Sequence, residues 1–140
     1  MPLTALDYEE IRQLLARYNF AVDFGDVETW AGCFTPDGVF HCTGLPDGSP
    51  LGGRHEGRAA LVAYATTHFS VAKGNARHWN WNLLIEGDGE EATMQCYLAT
   101  AGGKPNATIH AAGVYRDRLR KVDGRWLFVE RHINVDPQPT

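Results

Sequence analysis

Asn75-Ala76-Arg77-His78-Trp79-Asn80-Trp81-Asn82-Leu83-Leu84-Ile85-Glu86 decides the fold, because here the apolar period of the chain changes from helical to extended. The stretch reads as one long strand, closed by a Gly87-Asp88-Gly89 turn. Strict alternation puts His78, Asn80, Asn82 and Leu84 on one face, and Trp79, Trp81, Leu83 and Ile85 on the other. A row of histidine and amides with no Lys or Glu is unlike an ordinary solvated face. Two readings stand at this point. Either the polar row faces a roofed pocket while the tryptophan face meets a second subunit, or the tryptophans are core and the polar row is surface.

Downstream the extended pattern continues. Strands are predicted from Glu91 to Thr100, Thr108 to Lys121 and Arg125 to Val135, with a Gly102–Asn106 loop and an Asp123-Gly124 hairpin turn between them. Upstream the period is helical. Ile11, Leu14, Leu15, Tyr18 and Val22 form one stripe. Thr4 or Asp7 is placed to cap its start, and Gly25 to end it. A short helix capped by Asp26 should turn Val27, Trp30, Ala31 and Phe34 inward, followed by a Thr35–Gly38 turn and a Val39–Cys42 strand. Residues 44–53 read as loop. A third helix, from Arg58 to about Ala72, spaces Leu61, Tyr64, Ala65 and Phe69 for burial. Three helices followed by long antiparallel strands predict an α+β fold with the helices on one face of a strongly bent sheet.

The bulk numbers narrow the function classes. The 140 residues fit one domain, 1–140, without a linker or internal repeat. Apolar residues make up 44%, enough for a core without disulfides or metal. A net charge of −4 with 13 scattered basic residues argues against a nucleic-acid groove and for a neutral or weakly polar partner. Cys33, Cys42 and Cys96 lack redox or zinc spacing and read as reduced thiols. With no apolar run near membrane-spanning length and no secretion signal at the start, a soluble cytoplasmic protein is expected. No phosphate-binding glycine loop or metal-spaced histidine pair is present, so neither cofactor nor metal is expected. His41, His55, His68 and His132 take the plain reading of surface or core histidines.

Two side chains on the first helix complete the candidate chemistry. Tyr18 lies on the buried stripe, where its hydroxyl needs a partner. Asp23 sits between Val22 and Phe24, an unusual position for an unpaired carboxylate. If the helix roofs the sheet, Asp23 can hold one ring nitrogen of His78 and leave the other free to move a proton. Otherwise Asp23 is a turn residue bonding backbone.

Tyr18-x4-Asp23-x2-Asp26-x3-Trp30-x3-Phe34-x2-Asp37-Gly38-Val39-Phe40, then Gly57-Arg58, Arg77-His78-x3-Asn82, Gly113-Val114-Tyr115 and Trp126-x4-Arg131 span nearly the whole chain. This pattern resembles the SnoaL-like family of the nuclear transport factor 2-like superfamily, which includes polyketide cyclases, scytalone dehydratase and bile-acid dehydratases. The resemblance implies a cone-shaped roll around an internal pocket, often dimeric. It also implies Tyr18, Asp23 and His78 as the proton-transfer set, with Arg131 at the family's late arginine. The substrate would be a small apolar or aromatic molecule bearing a hydroxyl or carbonyl, with Trp30, Phe34, Phe40, Asn82, Leu84, His110 and Arg131 against it. The function expected is a cofactor-independent dehydratase, isomerase or cyclase. The alternative is a non-catalytic binding or assembly module of the same fold.

Overall fold

The computed structural model describes residues 1–103 and 106–137, so Lys104 and Pro105 of the expected Gly102–Asn106 loop lie outside the described residues. Thr4 and Asp7 together start the first helix, α1 (Ala5–Phe24), in a reciprocal capping box. Gly25 ends it in the left-handed region at φ 80°, and a Cβ there would meet the Phe69 ring at 3.0 Å. The capping aspartate Asp26 opens α2 (Val27–Gly32). Next come β1 (Phe34–Thr43), β2 (Gly53–Glu56) and α3 (Arg58–Ala72), then β3 (Ala76–Asp88), β4 (Glu91–Gly102), β5 (Thr108–Val122) and β6 (Arg125–Val135).

The six strands form one sheet in the order β2-β1-β6-β5-β4-β3. All pairs are antiparallel except β1 with β6, and the three helices pack against the sheet to make an α+β cone. Ile11, Leu14 and Tyr18 of α1 and Leu61 of α3 close the core with Met94, Cys96 and Phe128 of the strands. Among the described residues no helix is long and apolar enough to cross a membrane.

Several expectations need correction. Phe34 begins β1 rather than ending α2, and the expected Thr35–Gly38 turn is a register shift inside that strand. Gly53, the last residue of the expected 44–53 loop, opens the edge strand β2, for whose other residues, Arg54 to Glu56, the sequence predicts no element. β3 runs to Asp88 and its turn falls at Gly89-Glu90, starting two residues later than expected. In α3 the buried stripe is Leu61, Tyr64, Ala65 and His68, leaving Phe69 37% exposed. A seven-residue step from Leu61 carries His68, not its neighbour, back to the helix seam.

The most consequential correction lies in β3. Asn82 has φ 48°, and the pairing jumps from Trp81↔Tyr97 to Leu84↔Gln95, so Asn82 and Leu83 together oppose Cys96. This bulge reverses the alternation. Leu83 and Ile85 turn inward, while Leu84 joins Trp79 and Trp81 on the outer face, each about half exposed.

Candidate active site

Before the bulge the inner face of β3 carries His78 and Asn80. The strand lies at the sheet edge, so alternate backbone N–H groups point to the α1 side rather than to another strand. Asp23, on the last turn of α1, takes one of them. Its Oδ2 accepts from the His78 backbone N–H at 3.1 Å, and its Oδ1 lies 2.5 Å from His78 Nδ1. The one carboxylate therefore holds both the strand and the ring. Side-chain exposure is 10% for His78 and 6% for Asp23, so the pair is shielded from water but not sealed.

The two residues share a wall of a cleft between α1 and β3, about 460 Å³ in volume. Phe20, Phe24 and Trp79 give that cleft an apolar rim. Arg77 places its guanidinium 4.5 Å from the Phe24 ring centroid. Asn19 donates to Asn80 Oδ1 at 2.7 Å, and Asn80 donates in turn to the Tyr97 carbonyl. With Nδ1 directed to a carboxylate, the imidazole has one orientation and one tautomer when neutral, leaving Nε2 to accept or return a proton.

The other expected site residues divide into core and surface. Tyr18 lies apart from the cleft, 2% exposed, its ring 5.4 Å from Trp30 and 5.6 Å from Phe128. Five residues of helix separate it from Asp23, which turns the two side chains to different sides of α1. Burial, opposed by Arg131, pushes its hydroxyl up to about 12, so it remains a phenol. Trp30, Phe34 and Phe40 are 0–3% exposed and pack with Tyr18, Tyr64 and Phe128. Arg131 is fully buried, bound twice by Asp117 at 2.8 and 3.1 Å, with its guanidinium between the rings of Tyr18, Tyr115 and Phe128. Asn82 and His110 are exposed, each at a register shift of its strand, and Leu84 stands on the outer face.

One residue beside the pair was given no site role from the sequence. His68 of α3 is 7% exposed, with its ring centroid 5.1 Å from that of His78. Burial first, and the neighbouring His78 second, bring its basicity down to about 4. Helical spacing from Leu61 was the available signal.

The SnoaL-like domain model matches residues 3–132. No curated protein matches the chain. Among solved structures, an aspartate-to-asparagine variant of a Mycobacterium tuberculosis protein of unknown function is 34% identical, with a TM-score of 0.81 over 94% of this chain and 72% of that one. A Nostoc punctiforme protein of unknown function with a cystatin-like fold is 30% identical, with a TM-score of 0.83 over 99% and 97%. A Catenulispora acidiphila structure in complex with S-DNPA is 29% identical, with a TM-score of 0.78 over 95% and 96%.

Proposed function

The chain belongs to the SnoaL-like family, and from that premise we propose that it is a cofactor-independent acid/base enzyme acting on a small, largely apolar hydroxylated or carbonyl compound. The observation that carries the proposal is the Asp23–His78 contact in the wall of the cleft between α1 and β3. In a dehydration, His78 Nε2 takes a proton from the carbon beside a carbonyl. The C–H electron pair becomes the new double bond, the C–O bond on the next carbon breaks, and the departing hydroxyl receives that proton and leaves as water. Asp23 holds Nδ1–H throughout and offsets the imidazolium charge. An isomerisation uses the same ring to return the proton to a different carbon. The apolar rim of Phe20, Phe24 and Trp79 suits a ring system. Tyr18 and Arg131, packed away from the cleft, support the site as its foundation rather than touching the reacting atoms.

The active form in this proposal is a homodimer. Trp79, Trp81, Leu84, Tyr97 and Ile109 are each about half exposed or more, and a second copy is the natural cover for the patch on the outer sheet face.

The test is a screen of S-DNPA, hydroxylated ketones, steroids and polycyclic aromatics, read by melting temperature and by turnover. The proposal expects at least one compound to be converted by the wild type and not by His78→Ala. Stabilising ligands that are never converted would favour a binding module instead.

A further inference from the structure

Arg77 has no part in the chemistry above, although its side chain is exposed and lines the same cleft. Three contacts fix its position. Nη1 donates to the Gly74 carbonyl at 3.1 Å and to the Ala76 carbonyl at 2.8 Å, and Cζ lies 4.5 Å from the centroid of the Phe24 ring. These contacts tie the turn between α3 and β3 to the end of α1, and they use one nitrogen of the guanidinium. Nε and Nη2 have no hydrogen-bond partner among the described residues. The arginines that form ion pairs there are Arg54, Arg58, Arg118, Arg120 and Arg131. Asp23, the one carboxylate in the cleft wall, has both oxygens on His78. What remains is a held, unpaired cation beside the exposed rings of Phe20 and Phe24.

The free edge of that cation has a defined shape. The Nε–H and Nη2–H of a guanidinium point the same way and match the two oxygens of a carboxylate. The protein uses this edge elsewhere: Arg131 binds the two oxygens of Asp117 through Nε at 2.8 Å and Nη2 at 3.1 Å. Resting on the reading that the cleft beside Asp23 and His78 is the substrate site, we propose that Arg77 is a specificity-determining residue that binds a carboxylate of the substrate through Nε and Nη2. The substrate class narrows to apolar acids. A ring system lies against Phe20, Phe24 and Trp79, with its ionised group at the rim and its reacting carbon at His78. Because Phe24 and two carbonyls already hold the guanidinium, little binding energy is lost in ordering it. The carboxylate anchors and orients the molecule, while the proton moves at His78 Nε2.

The test compares 2-naphthoate with 2-naphthamide, which share a shape and differ in charge, by titration calorimetry at low ionic strength. The wild type should bind 2-naphthoate about tenfold more tightly, and added salt should shrink that preference because the rim is exposed. Arg77→Gln should bind the two probes alike, with 2-naphthamide nearly unchanged. Arg77→Lys, a point charge without the fork, should keep only a small part of the preference. Should Arg77→Gln not fold, the ¹⁵N shift of Arg77 Nε in the wild type answers the same question, moving with 2-naphthoate and not with 2-naphthamide. A wild type that binds neither probe or both equally, an Arg77→Gln that keeps the preference, or an Arg77→Lys as selective as wild type overturns the assignment. Turnover by His78→Ala separates the two claims. If that variant is inactive while Arg77→Gln keeps the preference, Arg77 alone is removed. If it turns over at the wild-type rate while Arg77→Gln loses the preference, the acid/base pair is removed and the carboxylate site stands.

Discussion

Replacing Asp7 with alanine tests how the roof of the site is tied down. Asp7 is 6% exposed and joins the start of α1 to the β5–β6 hairpin. Its Oδ2 accepts from the Thr4 backbone N–H and hydroxyl, both at 2.9 Å. Its Oδ1 accepts from Trp126 Nε1 at 3.0 Å and Lys121 Nζ at 3.1 Å. Losing the reciprocal cap costs about 1 kcal/mol. Leaving the buried Trp126 N–H without an acceptor costs roughly 1–3 kcal/mol. The partly exposed lysine contact adds at most about 1 kcal/mol. The sum is about 2–5 kcal/mol, or a melting temperature lower by roughly 6–20 °C for a chain of this size. Thermal denaturation followed by circular dichroism at pH 7 measures it.

The same carboxylate carries a pH signature. The Thr4 backbone N–H, then Trp126 and the other donors, hold it well below its ordinary 3.8. A depressed carboxylate stabilises the fold above its unfolded value, and that contribution fades as pH falls from about 4 toward its folded value. Asp7→Asn should therefore lose less stability than Asp7→Ala at pH 7 and show a shallower decline in acid. An alanine variant melting within 2 °C of wild type would refute the reasoning.

Three further outcomes are expected. His68, uncharged in the fold until about pH 4 but at 6.5 when unfolded, makes the unfolded chain the better proton binder between those values. The His68 contribution to melting temperature should thus rise with pH across that window, and His68→Phe should flatten the rise by that share; His132, also lowered, acts in the same sense, and the buried Asp117, raised by desolvation, acts against it. Asp117→Ala strands the Arg131 charge at zero exposure and should cost about 3–5 kcal/mol in urea denaturation; a loss below 1 kcal/mol would contradict the buried pairing. Trp81→Lys with Leu84→Glu should convert the proposed dimer to monomer in sedimentation at micromolar concentration, and an unchanged dimer would place the interface elsewhere.

The fold was largely legible because its strongest signals are local. The Thr4–Asp7 cap, the Gly25 stop and the Asp123-Gly124 hairpin each depend on residues a few positions apart. The short edge strand β2 was not, since its four residues are held by pairing with β1 rather than by their own pattern. Pairing of Asp23 with His78 was foreseeable from an odd carboxylate and an odd strand face. Which neighbours shared their space was not. A single bulge at Asn82 moved Leu84 outward and Leu83 and Ile85 inward, although asparagine before three consecutive apolar residues was a hint that alternation would break there. Helix phase did the same to Tyr18 and His68. Tyr18 rotated away from Asp23 into the aromatic core, and His68 took the inward position expected for Phe69.

The most direct test of the central claim compares kcat/KM and melting temperature in wild type and His78→Ala, with the first compound the screen shows to be turned over. Proton transfer by a positioned side chain is worth ~10²–10⁴-fold. The account predicts a loss of that order in rate, with the variant still melting within a few degrees of wild type. Wild-type turnover by a folded His78→Ala would show that the Asp23–His78 pair holds β3 to α1 and does no chemistry.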